Sequence, residues 1–136
     1  MSSTPSRIKP PLGPDNAWWW DEVSKGTVFP IQRCAACGKL RHPPRPMCDA
    51  CRSMEWDFVA ASGRATLHSY TVIHHPAFPG YLYPIVIALV DLEEGERAIS
   101  QLVGCERDAL RIGMSLEARI QTDADGFKLP VFRPLA

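Results

Sequence analysis

The residues of this chain best placed to do chemistry are four cysteines in two Cys-x-x-Cys knuckles. The first reads Cys34-Ala35-Ala36-Cys37-Gly38 and the second Cys48-Asp49-Ala50-Cys51-Arg52. A two-residue spacer lets the chain curl so that both sulfurs of a knuckle face one ion at about 2.3 Å. Two such knuckles complete a tetrahedral site with four thiolate ligands, Cys34, Cys37, Cys48 and Cys51. Gly38 can take the positive φ that a turn this tight requires. Between the knuckles, His42-Pro43-Pro44-Arg45-Pro46 is too proline-rich for a helix. A short hairpin-like excursion is expected, as in a zinc ribbon or a rubredoxin-like knuckle pair. The spacing therefore predicts one structural zinc per chain. Iron would fit the same all-sulfur cage, and zinc is the default because nothing nearby points to electron transfer. Four protein ligands leave no open position for water or substrate, so no catalytic role is assigned to the metal. Two disulfides would need an oxidising compartment, and a thioredoxin-like redox role would use one knuckle rather than two.

The other reactive residues point to no catalytic set. His74 and His75 lie where a strand meets the Pro76-to-Gly80 loop, with no Asp, Glu or Ser spaced to make either a base. They are read as a polar strand end at an interface. His42 is superfluous as a ligand beside four sulfurs. Cys105, in the apolar setting Leu102-Val103-Gly104, is expected to behave as a small buried hydrophobe. Glu93, Glu94 and Glu96 read as a solvated turn. Arg41 and Arg45 flank the prolines on what should be an exposed ribbon tip, where they could meet a phosphate or an acidic partner.

The elements that position these residues emerge from pattern and punctuation. Met1 to Pro14 has little to bury and is expected to be an extended arm, mobile unless a partner covers it. Asp15 is a candidate N-cap and Gly26 a stop for a helix from about Asn16 to Lys25. Three consecutive tryptophans, Trp18, Trp19 and Trp20, cannot all face one way on so short a helix. Either the rest of the chain wraps this helix, or part of its indole surface waits for another protein. Thr27 to Arg33 should run as a strand into the first knuckle, and Trp56 and Phe58 should pack the ribbon against the next part of the chain. From Gly63 onward the signals are β. Strands are expected at Arg64–His75, Tyr83–Leu92 (buried on both faces), Arg97–Val103, Ser115–Thr122 and Phe127–Phe132, with a helical turn at Cys105–Leu110. Five short strands with an irregular crossing after the third predict a small Greek-key barrel of the OB type. The fold class is thus mainly β: an N-terminal helix, a rubredoxin-like zinc ribbon and a five-stranded OB-fold. The expected division is 1–33 for arm, helix and lead-in strand, 34–57 for the ribbon and 58–136 for the barrel.

Composition bounds the partners. Lys plus Arg equals Asp plus Glu, 15 each, so there is no basic excess of the kind a nucleic-acid binder carries. No run approaches a membrane span, and the N-terminus lacks a signal-peptide layout. Five cysteines, four of them in knuckles, fit a reducing cytoplasm.

The sequence resembles a family long described as a domain of unknown function, DUF35. The resemblance is carried by Trp19-Trp20 with Gly26, Gln32-Arg33-Cys34-x-x-Cys37-Gly38, Pro43-Pro44-Arg45-x-x-Cys48-x-x-Cys51 and Glu55-Trp56. It continues through Ser62-Gly63-Arg64, Tyr70-Thr71-Val72-x-His74, Pro84-x-x-x-Ala88-Leu89-Val90, Leu102-Val103-Gly104-Cys105, Arg111-Ile112-Gly113-Met114 and Leu129-Pro130-x-Phe132. It implies a zinc ribbon with an OB-fold, in a non-catalytic accessory subunit of a thiolase-superfamily (lipid-transfer-protein-like) enzyme acting on acyl-CoA. Retro-aldol cleavage in steroid or lipid side-chain degradation is the reaction it implies. Some members are similar but fused to a hydratase-like domain. Trp18, Trp19, Trp20, Arg41, Arg45, His74, His75, Phe78 and Tyr81 are the expected partner contacts. The competing readings are a nucleic-acid-binding module, since OB-folds and ribbons often serve that role, and an independent acyl-CoA hydrolase. The balanced charge opposes the first, and the lack of a nucleophile, base and orienter set opposes the second.

Overall fold

Helix α1 occupies Ala17–Ser24 in the computed structural model of the chain, which describes residues 7–135. Gly26 ends it at φ 109°, with its N–H on the Val23 carbonyl at 3.0 Å. The cap position falls on Asn16 rather than Asp15, and no side chain caps the first turn. The Asn16 Oδ1 turns back to accept the Gly13 N–H at 2.7 Å, so the approach turn claims the oxygen that would have capped the helix. Trp19 and Val23, four apart, form the buried stripe.

The ribbon is a small antiparallel sheet of β1 (Pro30–Cys34), β2 (Leu40–Arg41) and β3 (Trp56–Ala60), in the order β2-β1-β3. Strand β1 begins at Pro30 rather than Thr27 and runs into Cys34, the first cysteine of the first knuckle. Trp56 and Phe58 of β3 pack on Trp18 of the helix, with ring centroids at 4.6 and 5.6 Å. They face back onto α1, not forward onto the barrel as the sequence predicts.

The barrel strands are β4 (Arg64–Ile73), β5 (Ile85–Leu92), β6 (Arg97–Leu102), β7 (Ser115–Thr122) and β8 (Lys128–Pro134). They close in the order β4-β5-β6-β8-β7, with β7 paired back onto β4. The crossing between β6 and β7 contains a short 3-10 turn, Arg107–Ala109, and it lets β8 meet β6 in parallel at Leu102 and Phe132. This is the OB-fold Greek-key closure. Strand β5 alternates instead of burying both faces: Val86, Ala88 and Val90 point into the core, while Ile87 and Leu89 are half-buried. A bulge between Leu67 and Ser69 leaves His68 outside the ladder and bends β4.

One apolar cluster joins the parts. Val23, Phe29 and Ile31 belong to the same cluster as Leu67, Leu116 and Phe132. The passage from ribbon to barrel is gripped by the β5–β6 turn: Ser62 N–H and Oγ–H donate to Glu94 and Glu93 at 2.8 and 2.6 Å. Those glutamates are thus structural, not merely solvated. No helix among the described residues is long and apolar enough to cross a membrane.

Candidate metal centre and docking surfaces

The four knuckle sulfurs all lie within 4.8 Å of one another. Cys34 and Cys51 are 3.5 Å apart, and Cys37 and Cys48 are 3.6 Å apart. A tetrahedron with bonds of about 2.3 Å has edges of about 3.8 Å, so the cage has the dimensions of a four-thiolate zinc site. The two knuckles are built alike. Cys34 N–H donates to the Lys39 carbonyl and Gly38 N–H to the Cys34 carbonyl, at 2.8 and 2.9 Å. In the second knuckle Cys48 N–H donates to Ser53 and Arg52 N–H to Cys48, at 3.0 and 2.9 Å. The residue after each second cysteine takes positive φ: 81° at Gly38 and 65° at Arg52. Sequence reading anticipates this at Gly38 and misses it at Arg52, although the two positions are equivalent.

The donor chemistry fits a divalent cation. The Cys37 amide aimed at its sulfur, with lesser help from Ala36, holds the Cys34 thiol down at about 6. The Cys51 and Ala50 amides lower Cys48 in the same way. The Ser53 amide pulls Cys51 down, but the crowding of Cys34, burial and the other two sulfurs push it up to about 12. Four sulfurs this close cannot all ionise without a counter-charge, and a bound divalent ion supplies it.

Arg41 is not at an exposed tip. It is 1% exposed, because pairing across β1 and β2 sets it beside buried Gln32. Gln32 Oε1 accepts from Arg41 Nε at 3.0 Å and from the Arg45 amide at 2.8 Å, so one buried amide side chain fastens the inter-knuckle loop. Arg45 itself is exposed. Trp19 is also removed from the surface, being 6% exposed, with its Nε1–H donating to the Pro30 carbonyl at 2.7 Å. Trp18 is half-buried against β3, and Trp20 is half-buried with its ring 5.3 Å from Phe127. The chain thus accommodates its own tryptophans better than the helix length implies. Arg41 and Trp19 have no free surface to offer a partner.

His74, His75 and Phe78 are exposed at the end of β4 and in the loop beyond, and Tyr81 is half-buried there. His74 Nε2 lies 3.4 Å from Arg107. Cys105 is half-buried rather than enclosed, with its thiol directed to the Glu106 carbonyl at 3.4 Å. The sequence pattern does not signal a second apolar surface: exposed Met54 and Trp56 lie together beside Trp18.

Helix, four-cysteine ribbon and closed five-strand barrel define a zinc-ribbon and OB-fold protein. The family models for the ChsH2 rubredoxin-like zinc ribbon domain and the ChsH2 C-terminal OB-fold domain match residues 28–57 and 58–121. The chain is 38% identical over 111 residues to a DUF35 domain-containing scaffold protein of Methanocaldococcus jannaschii, covering 78% of this chain and 79% of that one. It belongs to this ChsH2-type DUF35 family. It is 46% identical over 129 residues to a probable enoyl-CoA hydratase alpha subunit of Thermomonospora curvata, covering 94% of this chain but 40% of that longer relative. Among solved structures it resembles a chain of the Ltp2-ChsH2(DUF35) aldolase, with a TM-score of 0.87 and 45% identity over 93% of this chain and 98% of that one.

Proposed function

We propose that this chain is a non-catalytic accessory subunit of a thiolase-superfamily enzyme that cleaves a carbon–carbon bond in an acyl-CoA by a retro-aldol reaction. The observation that carries the reading is the likeness, along nearly its whole length, to one chain of an aldolase complex. The side-chain chemistry supports it. The four ligand cysteines are committed to one cluster; outside it, His68 meets Asp91, His74 meets Arg107 and His42 is packed against Trp19 and Phe29. One structural zinc per chain holds the ribbon, and a reducing cytoplasm keeps its thiolates available. Two exposed regions are the proposed contacts: the ribbon surface of Arg45, Met54 and Trp56 beside Trp18, and the barrel loop bearing His74, His75, Phe78 and Tyr81. The mechanism is indirect. Docking orders the large subunit's acyl-CoA channel, and the large subunit performs the acid–base chemistry.

Co-expression with a thiolase-superfamily aldolase chain, followed by size-exclusion chromatography and an acyl-CoA cleavage assay, tests this. The expected result is co-elution and activity that needs both chains. Turnover by the small chain alone, or full activity of the large chain alone, overturns it. So would a lack of association coupled with tight, salt-sensitive binding of single-stranded DNA or RNA in fluorescence anisotropy.

A further inference from the structure

One edge of the ribbon sheet is left open among the described residues. Strand β3 pairs with β1 on one side, and no strand pairs with it on the other. The parity of that ladder follows from the bonds that flank it. The Ala61 N–H donates to the Phe29 carbonyl and the Ala35 N–H to the Glu55 carbonyl, both at 3.0 Å. In an antiparallel pair, residues bonded to the neighbour alternate with residues turned away from it. Asp57 and Val59 therefore direct their main-chain groups to β1, while Trp56, Phe58 and Ala60 direct theirs outward. No group among the described residues bonds to these outward N–H and C=O groups. Every residue of β3 is exposed or half-buried, whereas β1 is buried at four of its five positions.

Sheets usually protect such an edge with proline, lysine, a bulge or an inward-pointing charge. Between Trp56 and Ala60 there is no proline and no lysine, and the register to β1 runs without a bulge. The one charge, Asp57, is turned to its own sheet, where Arg33 Nε and Nη2 donate to it at 2.7 and 2.8 Å. Helix α1 is fastened on the far side: Trp19 donates to the Pro30 carbonyl, which the same parity directs away from β3. We propose that β3 pairs antiparallel with β3 of a second copy of this chain, across a two-fold axis at Phe58. A second copy is the occupant because the edge is complementary to itself. In this register Trp56 faces Ala60 of the second copy, a large side chain against a small one, and Phe58 faces Phe58. Asp57 faces Val59, so no like charges meet. All the outward residues are used, giving about six main-chain bonds. Setting Phe58 opposite Trp56 would bring Asp57 against Asp57, and setting it opposite Ala60 would leave about four bonds. The dimer is a continuous sheet in the order β2-β1-β3-β3-β1-β2, with an isologous interface. This goes beyond the subunit assignment and concerns the isolated chain, so its test is separate from that of the large subunit.

Two strands of five residues make an interface at the small end of specific contacts, so the pairing depends on concentration. Analytical ultracentrifugation of the full chain should give the monomer mass at about 5 µM and climb towards twice that mass at about 500 µM. Ala60→Pro removes an outward N–H and sets a ring on the edge, while the bonds of Asp57 and Val59 to β1 remain. It should weaken association at least about tenfold. Residue-resolved amide hydrogen exchange on the wild type decides the matter if that variant does not fold. The Asp57 and Val59 amides should be protected at every concentration. Those of Trp56, Phe58 and Ala60 should gain protection, by about tenfold or more, only in the concentrated sample. A chain that stays monomeric at about 500 µM overturns the pairing. So does a folded Ala60→Pro variant that associates as tightly as the wild type. A dimer whose Trp56, Phe58 and Ala60 amides still exchange freely also overturns it, because that dimer is built on another surface.

Discussion

The ribbon and the barrel are held by opposite means. The barrel buries an ordinary aliphatic and aromatic core: Leu67, Ala88, Val90, Leu116 and Phe132 are almost wholly enclosed, and strand pairing satisfies the backbone. The ribbon, with three short strands, gathers four sulfurs, two of them on buried cysteines and two on exposed ones, and buries an amide side chain and an arginine. So small a sheet has too little apolar surface to stand alone, and a metal site compensates for that. The barrel is stable through the area it removes from water; the ribbon adds to its share of the apolar cluster a site where charge is gathered at a point.

Substituting a ligand separates the two most sharply. Cys37→Ser should abolish zinc retention and remove stabilisation on the order of 10 kcal/mol from the ribbon. Far-UV circular dichroism should still show barrel strands, while elemental analysis falls from one zinc per chain to none. Simultaneous loss of all β signal would mean that the barrel cannot stand without its metal neighbour. The converse break is Leu116→Ala, deep in the barrel and away from the sulfurs. It should cost about 3–4 kcal/mol in chemical denaturation, with zinc content unchanged.

Acid should act at the seam between the two. His42 lies between the rings of Trp19 and Phe29, at 5.7 and 4.9 Å, and burial lowers it from 6.5 to about 4. Below pH 6.5 the unfolded histidine takes a proton that the folded one refuses until about pH 4. Stability should therefore fall as pH drops through that window, by up to about 3 kcal/mol. Denaturation midpoints across the window should flatten in His42→Phe, and an unaltered slope would place the acid sensitivity elsewhere. The smallest effect sharpens the likeness of the two knuckles. Arg52→Gly relieves a non-glycine residue at φ 65° and should raise ribbon stability by about 0.5 kcal/mol. A competition titration with a zinc chelator would register it as slower metal loss.

Spacing and alternation made the metal cluster and the barrel legible, because each depends on a short-range pattern. Cys-x-x-Cys brings two sulfurs together within one turn, and β7 alternates Leu116 and Ala118 inward as read. The surface was less legible, because its outcome rests on cross-strand register. Arg41 and Arg45 look alike in a proline-rich stretch, and only the pairing of Gln32 with Arg41 decides which is buried. Glu93 and Glu94 read as solvent-facing until the fold sets Ser62 beside them. The seat of the arm's Arg7 on Asp123 joins residues more than a hundred positions apart, a relation no local pattern encodes. Arg52 is different: the equivalence of the two knuckles is visible in the spacing, but an arginine carries none of the turn signal that a glycine gives.

The three consecutive indoles of α1 form a junction with three addresses. Trp18 goes to β3, Trp19 to Phe29 and His42 ahead of and between the knuckles, and Trp20 to Phe127 on the barrel turn. Successive helical residues are turned by about 100°, so the spread of directions is a consequence of their being adjacent. Inserting or deleting a single residue between Trp20 and Val23 would rotate every indole by about 100° relative to the buried Val23.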